Sequence, residues 1–171
     1  MNSYNFTNTS DGVMTFDVVF QKIQSFILQD PTACYVLSIG SDSQTYQKET
    51  RFITAIHLHR KGKGAWGCIR KLIIPRPIDS IREKISLETS LSQEIAYLFT
   101  DDHLLSLSEL IVPYEKKGAS LTIEIHLDIG RKGLTKELIQ DMVGRITAMG
   151  MDARIKPESY TAFSYANRYT R

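Results

Sequence analysis

The stretch that decides the fold lies between residues 34 and 74 and reads CYVLSIGSDSQTYQKETRFITAIHLHRKGKGAWGCIRKLII. Residues 34–42, 52–59 and 65–74 are rich in isoleucine, leucine, valine and aromatic residues, which is typical of β-strands. The glycines and basic residues at 60–64 suit a hairpin turn between the last two runs. This stretch therefore predicts an antiparallel meander of three strands.

The flanking segments add helices on one side and alternating helices and strands on the other. Apolar residues recur at helical spacing from Thr15 to Gln29, ahead of Pro31, which predicts an additional N-terminal helix. The polar residues 1–14 are expected to form a flexible tail. After the meander the pattern predicts, in order, a helix over 78–99, a strand over 121–129, a helix over 135–149, a strand over 153–156 and a closing helix over 160–169. Residues 101–120 fit a helix or a strand.

This order predicts an α/β fold in one domain spanning residues 15–171. The sheet is expected to be mixed and five-stranded, with a three-strand meander followed by alternating helix and strand, and with helices flanking it.

Composition excludes several classes of protein. The chain has 171 residues, of which 42% are hydrophobic, so it can bury a core without metals or disulfides. No stretch approaches about 20 consecutive apolar residues, which argues against a membrane span. The N-terminus lacks the basic and apolar regions of a signal peptide. Cys34 and Cys68 match no zinc motif and are expected to be buried free thiols. A cytoplasmic location is expected.

Two aspartates occupy positions where ligands bind in α/β proteins. Asp42 ends the first predicted strand of the meander, among the small residues Gly40, Ser41 and Ser43, and Asp128 ends the strand over 121–129. Ligands of such sheets lie at the carboxyl ends of strands. The alternative for Asp42 is a turn aspartate that caps its own backbone. Glu124 and His126 would share the face of Asp128, which requires a bulge or a partly open face.

Glu88 lies in the middle of the apolar face of the helix over 78–99. At 100° per residue that face is formed by Ile81, Ile85, Leu91, Ile95, Ala96 and Phe99. A carboxylate buried there costs several kcal/mol unless it is paired or bound to a metal. An ion pair with a buried arginine or lysine is the structural alternative to a functional acid.

Together, Asp42, Glu88 and Asp128 would form a cluster of like charges. Divalent cations that prefer carboxylate oxygens relieve such a cluster. Because cysteine is absent from the set, Mg²⁺ or Mn²⁺ is expected rather than zinc.

The net charge of +2 conceals a strongly basic segment. Residues 51–77 contain seven basic residues and no acid. On its turn, Arg60, Lys61 and Lys63 suit phosphate contacts, and Trp66 suits stacking on a base. A solvated hairpin with a half-buried tryptophan is the alternative. His57 and His59 are interpreted as ordinary polar-face residues.

These residues resemble the YkuK-type bacterial family of the ribonuclease H-like (retroviral integrase) superfamily. The resemblance covers about residues 15–171 and rests on five stretches: 39–44, 52–59, 62–65, 82–88 and 126–135, together with the tail 156–170. It implies hydrolysis of the phosphodiester bonds of RNA, DNA or a hybrid by two metal ions held by Asp42, Glu88 and Asp128. Many superfamily members add an acid from the last helix, where this chain has Asn167, a weaker metal ligand.

Two other functions stay open at this point. One is a catalytically weak or inactive module that binds or assembles on nucleic acid and keeps the fold. The other is a protein-interaction domain without nucleic acid. An actin-like ATPase with two domains is excluded because it needs about twice this length. The sequence makes no prediction of an oligomer.

Overall fold

The structure is a computed structural model that describes residues 4–129 and 135–155. Its elements in chain order are β1 (Phe6–Asn8), β2 (Gly12–Met14), α1 (Phe16–Gln29), β3 (Cys34–Thr45), β4 (Thr50–Arg60), β5 (Ala65–Ile74), α2 (Ile81–Ala96), α3 (Asp101–Ile111), a 3₁₀-helix (Val112–Lys117), β6 (Ser120–Leu127), α4 (Lys136–Thr147) and β7 (Asp152–Arg154).

These strands form one mixed sheet in the order β2-β1-β5-β4-β3-β6-β7. The predicted meander is β3, β4 and β5, which pair antiparallel. Beyond it, β6 runs parallel to β3, and β7 runs parallel to β6. The α/β class and the mixed sheet flanked by helices are therefore confirmed, but the sheet has seven strands rather than five.

The two additional strands come from the segment that the sequence analysis described as a flexible tail. Within residues 1–14, β1 and β2 form a hairpin, and β1 pairs with β5 at the edge of the meander. Phe6 and Met14 anchor the hairpin, since their side chains are 0% and 3% exposed. Each strand has three residues, which is too short to produce a recognisable alternation of apolar and polar positions. The proposed extent of the domain, 15–171, stays a prediction.

The sheet has a helix face and a reverse face. The helix face carries the side chains of Tyr35, Leu37 and Ile39 on β3, which share one core cluster with buried residues of α1, α2, α3 and α4. The reverse face carries the alternate side chains, and Ile53, Ala55 and Ile69 form a separate buried cluster there. The four α-helices of the described residues thus pack on one side of the sheet.

Residues 101–120, which fitted either element, are mainly helical. Thr100 caps α3 by accepting a hydrogen bond from the backbone N–H of His103, and the His103 ring accepts from the Thr100 N–H in return. Pro113 follows at the start of the 3₁₀-helix, where its missing N–H costs nothing. The predicted closing helix over 160–169 lies outside the described residues, as does Asn167.

The cysteines are free, with Cys68 buried and Cys34 half-buried. Burial raises the pKa of the Cys68 thiol. Among the described residues, no helix has the length and apolar character needed to cross a membrane.

Candidate functional site

Asp42 and Asp128 lie side by side at one end of the sheet. β3 and β6 are parallel neighbours, with Ser41 in register with Leu127, so the two aspartates follow the last paired residues. Asp128 directly follows β6, but Asp42 does not end its strand as predicted, because β3 continues to Thr45 beside β4. Both aspartates are half-buried. Asp42 Oδ1 accepts a hydrogen bond of 2.8 Å from the backbone N–H of Ser43, so it also caps its own backbone, as the alternative interpretation expected.

Glu88 comes to the same end of the sheet from the buried side of α2. Its side chain is 8% exposed, which confirms the inward position inferred from helical spacing. The Ser43 hydroxyl donates a hydrogen bond of 2.7 Å to Glu88 Oε1. Neighbouring side chains of a strand point to opposite faces, so Ser43 meets Glu88 on the helix face of β3, whereas Asp42 lies on the reverse face beside Ile53.

Buried hydroxyl groups fix α2 against the sheet below Glu88. Ser41 Oγ lies 2.8 Å from Thr54 Oγ1 on β4 and 2.7 Å from Ser92 Oγ on α2. All three residues are at most 2% exposed, so each hydroxyl needs these partners. Ser92 lies one helical turn after Glu88, and the network therefore sets the height of the glutamate above β3.

The loop before α2 is held by two threonines, Thr45 and Thr50, which flank the β3–β4 turn. Thr50 accepts a hydrogen bond from the Ile78 N–H at 2.8 Å and donates to the Arg76 carbonyl at 3.0 Å. Thr45 donates to the Ile78 carbonyl at 2.7 Å. Ser80 then caps α2, so the helix begins at a fixed point relative to β3.

The environment of Glu88 favours its neutral form. The pKa of Glu88 is raised to about 8, mainly by burial, and the charges of Asp42 and Asp128 contribute to this shift. The Ser43 hydrogen bond and the more distant Lys84 oppose this shift. Among the described residues, Glu88 forms no ion pair with a lysine or arginine, so the structural alternative for this residue finds no support there.

The three carboxylates have the donor chemistry of a site for a hard divalent cation. They offer only oxygen ligands, and a bound cation would offset both the burial and the repulsion that raise the pKa of Glu88. As the side chains stand, however, no group of three or more histidine, cysteine, aspartate and glutamate residues within 4–129 and 135–155 is arranged to hold a metal. The donor set therefore fits Mg²⁺ or Mn²⁺ in chemistry, and binding would require the carboxylates to turn toward one another.

The polar side chains of β6 lie on the reverse face, away from the four helices. His126 is 1% exposed, and its Nε2 lies 2.9 Å from Glu124 Oε1. Arg154 on β7 donates to Glu124 Oε2 at 3.0 Å. Polar and apolar side chains therefore alternate along β6 without a bulge. This is possible because the polar side chains face away from the helices of the described residues.

The basic turn 60–64 lies at the opposite end of the sheet from the carboxylates. Arg60 is in register with Tyr35, seven residues before Asp42 on β3, which is about 24 Å along an extended strand. Four residues were proposed to contact nucleic acid here: Arg60, Lys61, Lys63 and Trp66. Three of them also form polar contacts within the protein. Arg60 donates to the Tyr35 hydroxyl and the Phe26 carbonyl, Lys63 pairs with Asp30 at 3.2 Å, and the Trp66 indole donates to Asp11 at 3.1 Å.

Sequence reasoning missed the serines and threonine that support the carboxylates. Ser43 was noted only as a small residue beside Asp42, and Ser92 and Thr54 were not considered. The available signal was the pair of serines on either side of Asp42, since their side chains must point to the face opposite that of the aspartate.

Comparisons with known proteins agree with this fold. A family model described as "Ribonuclease H-like" matches residues 18–171. A protein of Bacillus subtilis (strain 168), described as "Uncharacterized protein YkuK", is 58% identical over 169 residues, which cover 99% of this chain and 98% of the relative. No solved structure matches the chain. With a family model over most of its length and a relative of this identity, the chain belongs to the ribonuclease H-like family and is of the YkuK type.

Proposed function

We propose that this protein is a nuclease that depends on Mg²⁺ or Mn²⁺ and hydrolyses phosphodiester bonds of nucleic acid. The observation that carries the proposal is Glu88, a buried glutamate at the same end of the sheet as Asp42 and Asp128, whose charges contribute to its raised pKa. A glutamate in such a position costs stability and lacks a compensating ion pair among the described residues. A bound cation would compensate for this cost.

Each carboxylate has a separate part in this proposal. Asp42, Asp128 and Glu88 would hold the ions through their carboxylate oxygens. Bound divalent ions would supply an activated water and would stabilise the leaving 3′ oxygen. Ser43 orients Glu88 through its 2.7 Å hydrogen bond, and the buried hydroxyl network keeps α2 at the required height. Asn167 is the candidate for an additional, weaker ligand.

Hydrolysis of labelled RNA, DNA and hybrid oligonucleotides in Mg²⁺ or Mn²⁺ tests the proposal. We expect Asp42→Asn and Glu88→Gln to reduce the cleavage rate on the order of 10³-fold, the scale on which loss of one catalytic group acts. Asp79→Asn is the matched control, because this exposed aspartate lies in the loop before α2 and forms none of the contacts described for the site. Undiminished cleavage by Asp42→Asn would remove this residue from the mechanism.

A binding or assembly module without catalysis is the second candidate. It is favoured by the finding that the described residues hold no group of three metal-ligating side chains in place. This candidate predicts nucleic-acid binding that weakens with salt, with no cleavage in Mg²⁺, Mn²⁺ or their absence. Metal-dependent cleavage by the wild type that exceeds cleavage by Asp42→Asn would rule out a module without catalysis.

A further inference from the structure

The reverse face carries an exposed strip of two cations and one apolar residue beside Asp42. Arg51 and Lys71 lie on this face, and Ile73 is the direct cross-strand neighbour of Arg51. All three are exposed, Ile73 at 56%. The buried cluster of Ile53, Ala55 and Ile69 ends where this strip begins.

The register of the sheet places the strip close to the carboxylates. Asp42 pairs with Ile53, and Ile53 pairs in turn with Lys71, so Lys71 lies two strands from Asp42, about 10 Å away. Arg51 is the diagonal neighbour of Asp42 at about 7–8 Å. A nucleic-acid strand carries one phosphate per about 3.4 Å of rise, so these cations reach phosphates within about three nucleotides of Asp42. The basic turn 60–64 lies about 24 Å from Asp42 and cannot reach these phosphates.

Arg51 is held in place before any ligand arrives. Its Nε donates to Glu49 Oε2 at 2.6 Å, and its guanidinium carbon lies 4.6 Å from the centre of the Tyr46 ring. The side chain is still 46% exposed. A guanidinium has five N–H donors in a planar fork that matches phosphate, so one bond to Glu49 leaves most of the fork for a ligand. Fixing the side chain in advance lowers the entropy lost on binding.

We propose that the strip of Arg51, Lys71 and Ile73 binds the backbone of a single-stranded nucleic acid, RNA or DNA, and leads it to the carboxylates. The proposal rests on the proposed function and specifies where its substrate lies. Arg51 and Lys71 neutralise phosphates, and the exposed Ile73 between them contacts a sugar or an unpaired base. Such a base is accessible in a single strand and covered in a duplex, which is why the single strand is the substrate assigned.

Fluorescence anisotropy of the full chain in EDTA, with a labelled 12-nucleotide RNA, DNA or DNA duplex, tests the strip without cleavage. We expect the double variant Arg51→Ala/Lys71→Ala to bind either single strand at least about tenfold more weakly at 50 mM salt. The slope of log affinity against log salt should fall by about 1.4, because each phosphate contact contributes about 0.7 for single strands. Arg51→Lys should keep the slope and lose part of the affinity, since it retains the charge without the fork.

The matched control is Lys116→Ala/Lys117→Ala. These two exposed lysines precede β6 at the far end of the sheet, so their removal changes the net charge equally without touching the strip. An unchanged affinity and slope for Arg51→Ala/Lys71→Ala, with the wild type binding, would overturn this inference alone. An equal loss on the duplex would overturn the single-strand assignment. A wild type that binds none of the probes would overturn both this inference and the proposed function.

Discussion

At the scale of single residues, Glu88 shows the effect of a buried carboxyl group on stability. An unfolded glutamate ionises near pH 4.5, whereas in the folded protein burial raises the pKa of Glu88 to about 8. The folded protein therefore holds a proton at neutral pH that the unfolded chain releases. A carboxyl group whose charge is penalised in this way destabilises the metal-free fold as soon as the solution can remove its proton.

Glu88→Gln should make the metal-free protein more stable at neutral pH. For the wild type in EDTA, the free energy of unfolding should fall as pH rises from about 4.5 to 8, by up to about 1.4 kcal/mol per pH unit, because the folded state binds more protons than the unfolded one. Glutamine has nearly the same shape and stays neutral, so this part of the slope should vanish. Urea denaturation between pH 5 and 8 measures both slopes. Parallel pH profiles for the two proteins would contradict the assignment of a buried, protonated Glu88.

At the scale of elements, the basic turn 60–64 joins α1 to the sheet. Arg60 donates hydrogen bonds to the Tyr35 hydroxyl at 3.0 Å and to the Phe26 carbonyl at 2.6 Å, and its guanidinium carbon lies 4.0 Å from the centre of the Phe26 ring. The Phe26 carbonyl is in the last turn of α1, which has no basic residue of its own. Arg60 therefore supplies the positive charge that the carboxyl end of this helix favours.

Arg60→Ala should lower the free energy of unfolding by about 2 kcal/mol, since hydrogen bonds from a charged donor contribute about 1.5–3 kcal/mol and are partly replaced by water. Lys61→Ala, on the neighbouring exposed residue, should stay within about 0.5 kcal/mol of the wild type. Urea denaturation at one pH compares the three proteins. Equal stability of Arg60→Ala and the wild type would favour the original interpretation of Arg60 as a ligand for phosphate alone.

At the scale of the whole molecule, the features that sequence predicted are those encoded by long regular patterns. The meander was recognisable because β3, β4 and β5 have 12, 11 and 10 residues, and Glu88 because α2 is long enough to define a face. The parallel pairing of β3 and β6 followed from the order of elements. The register between β3 and β4 could not be predicted from the sequence. Without it, the sequence did not show that the turn 60–64 lies at the end of the sheet away from Asp42.

The N-terminal hairpin escaped prediction for a different reason, because its stability comes from tertiary contacts. Phe6 packs against Phe16 with ring centres 6.3 Å apart and belongs to the same core as Val19 and Ile23 of α1. Asn8 donates to the Gly67 carbonyl at 2.9 Å, which ties the hairpin to β5. Two strands of three residues have no stability of their own, so their formation depends on the core that they cover.

Phe6→Ala therefore tests whether the segment before Thr15 is part of the folded molecule. Phe6 is 0% exposed, and removing a phenylalanine from a core costs about 3–5 kcal/mol. We expect a loss of that size in urea denaturation, together with faster amide exchange along β5, whose outer edge β1 covers. Thr9→Ala, at the exposed tip of the same hairpin, should change stability by less than about 0.5 kcal/mol. If the segment were a flexible tail, neither substitution would change stability. A urea denaturation midpoint of Phe6→Ala equal to that of the wild type would therefore support the flexible tail that the sequence predicted.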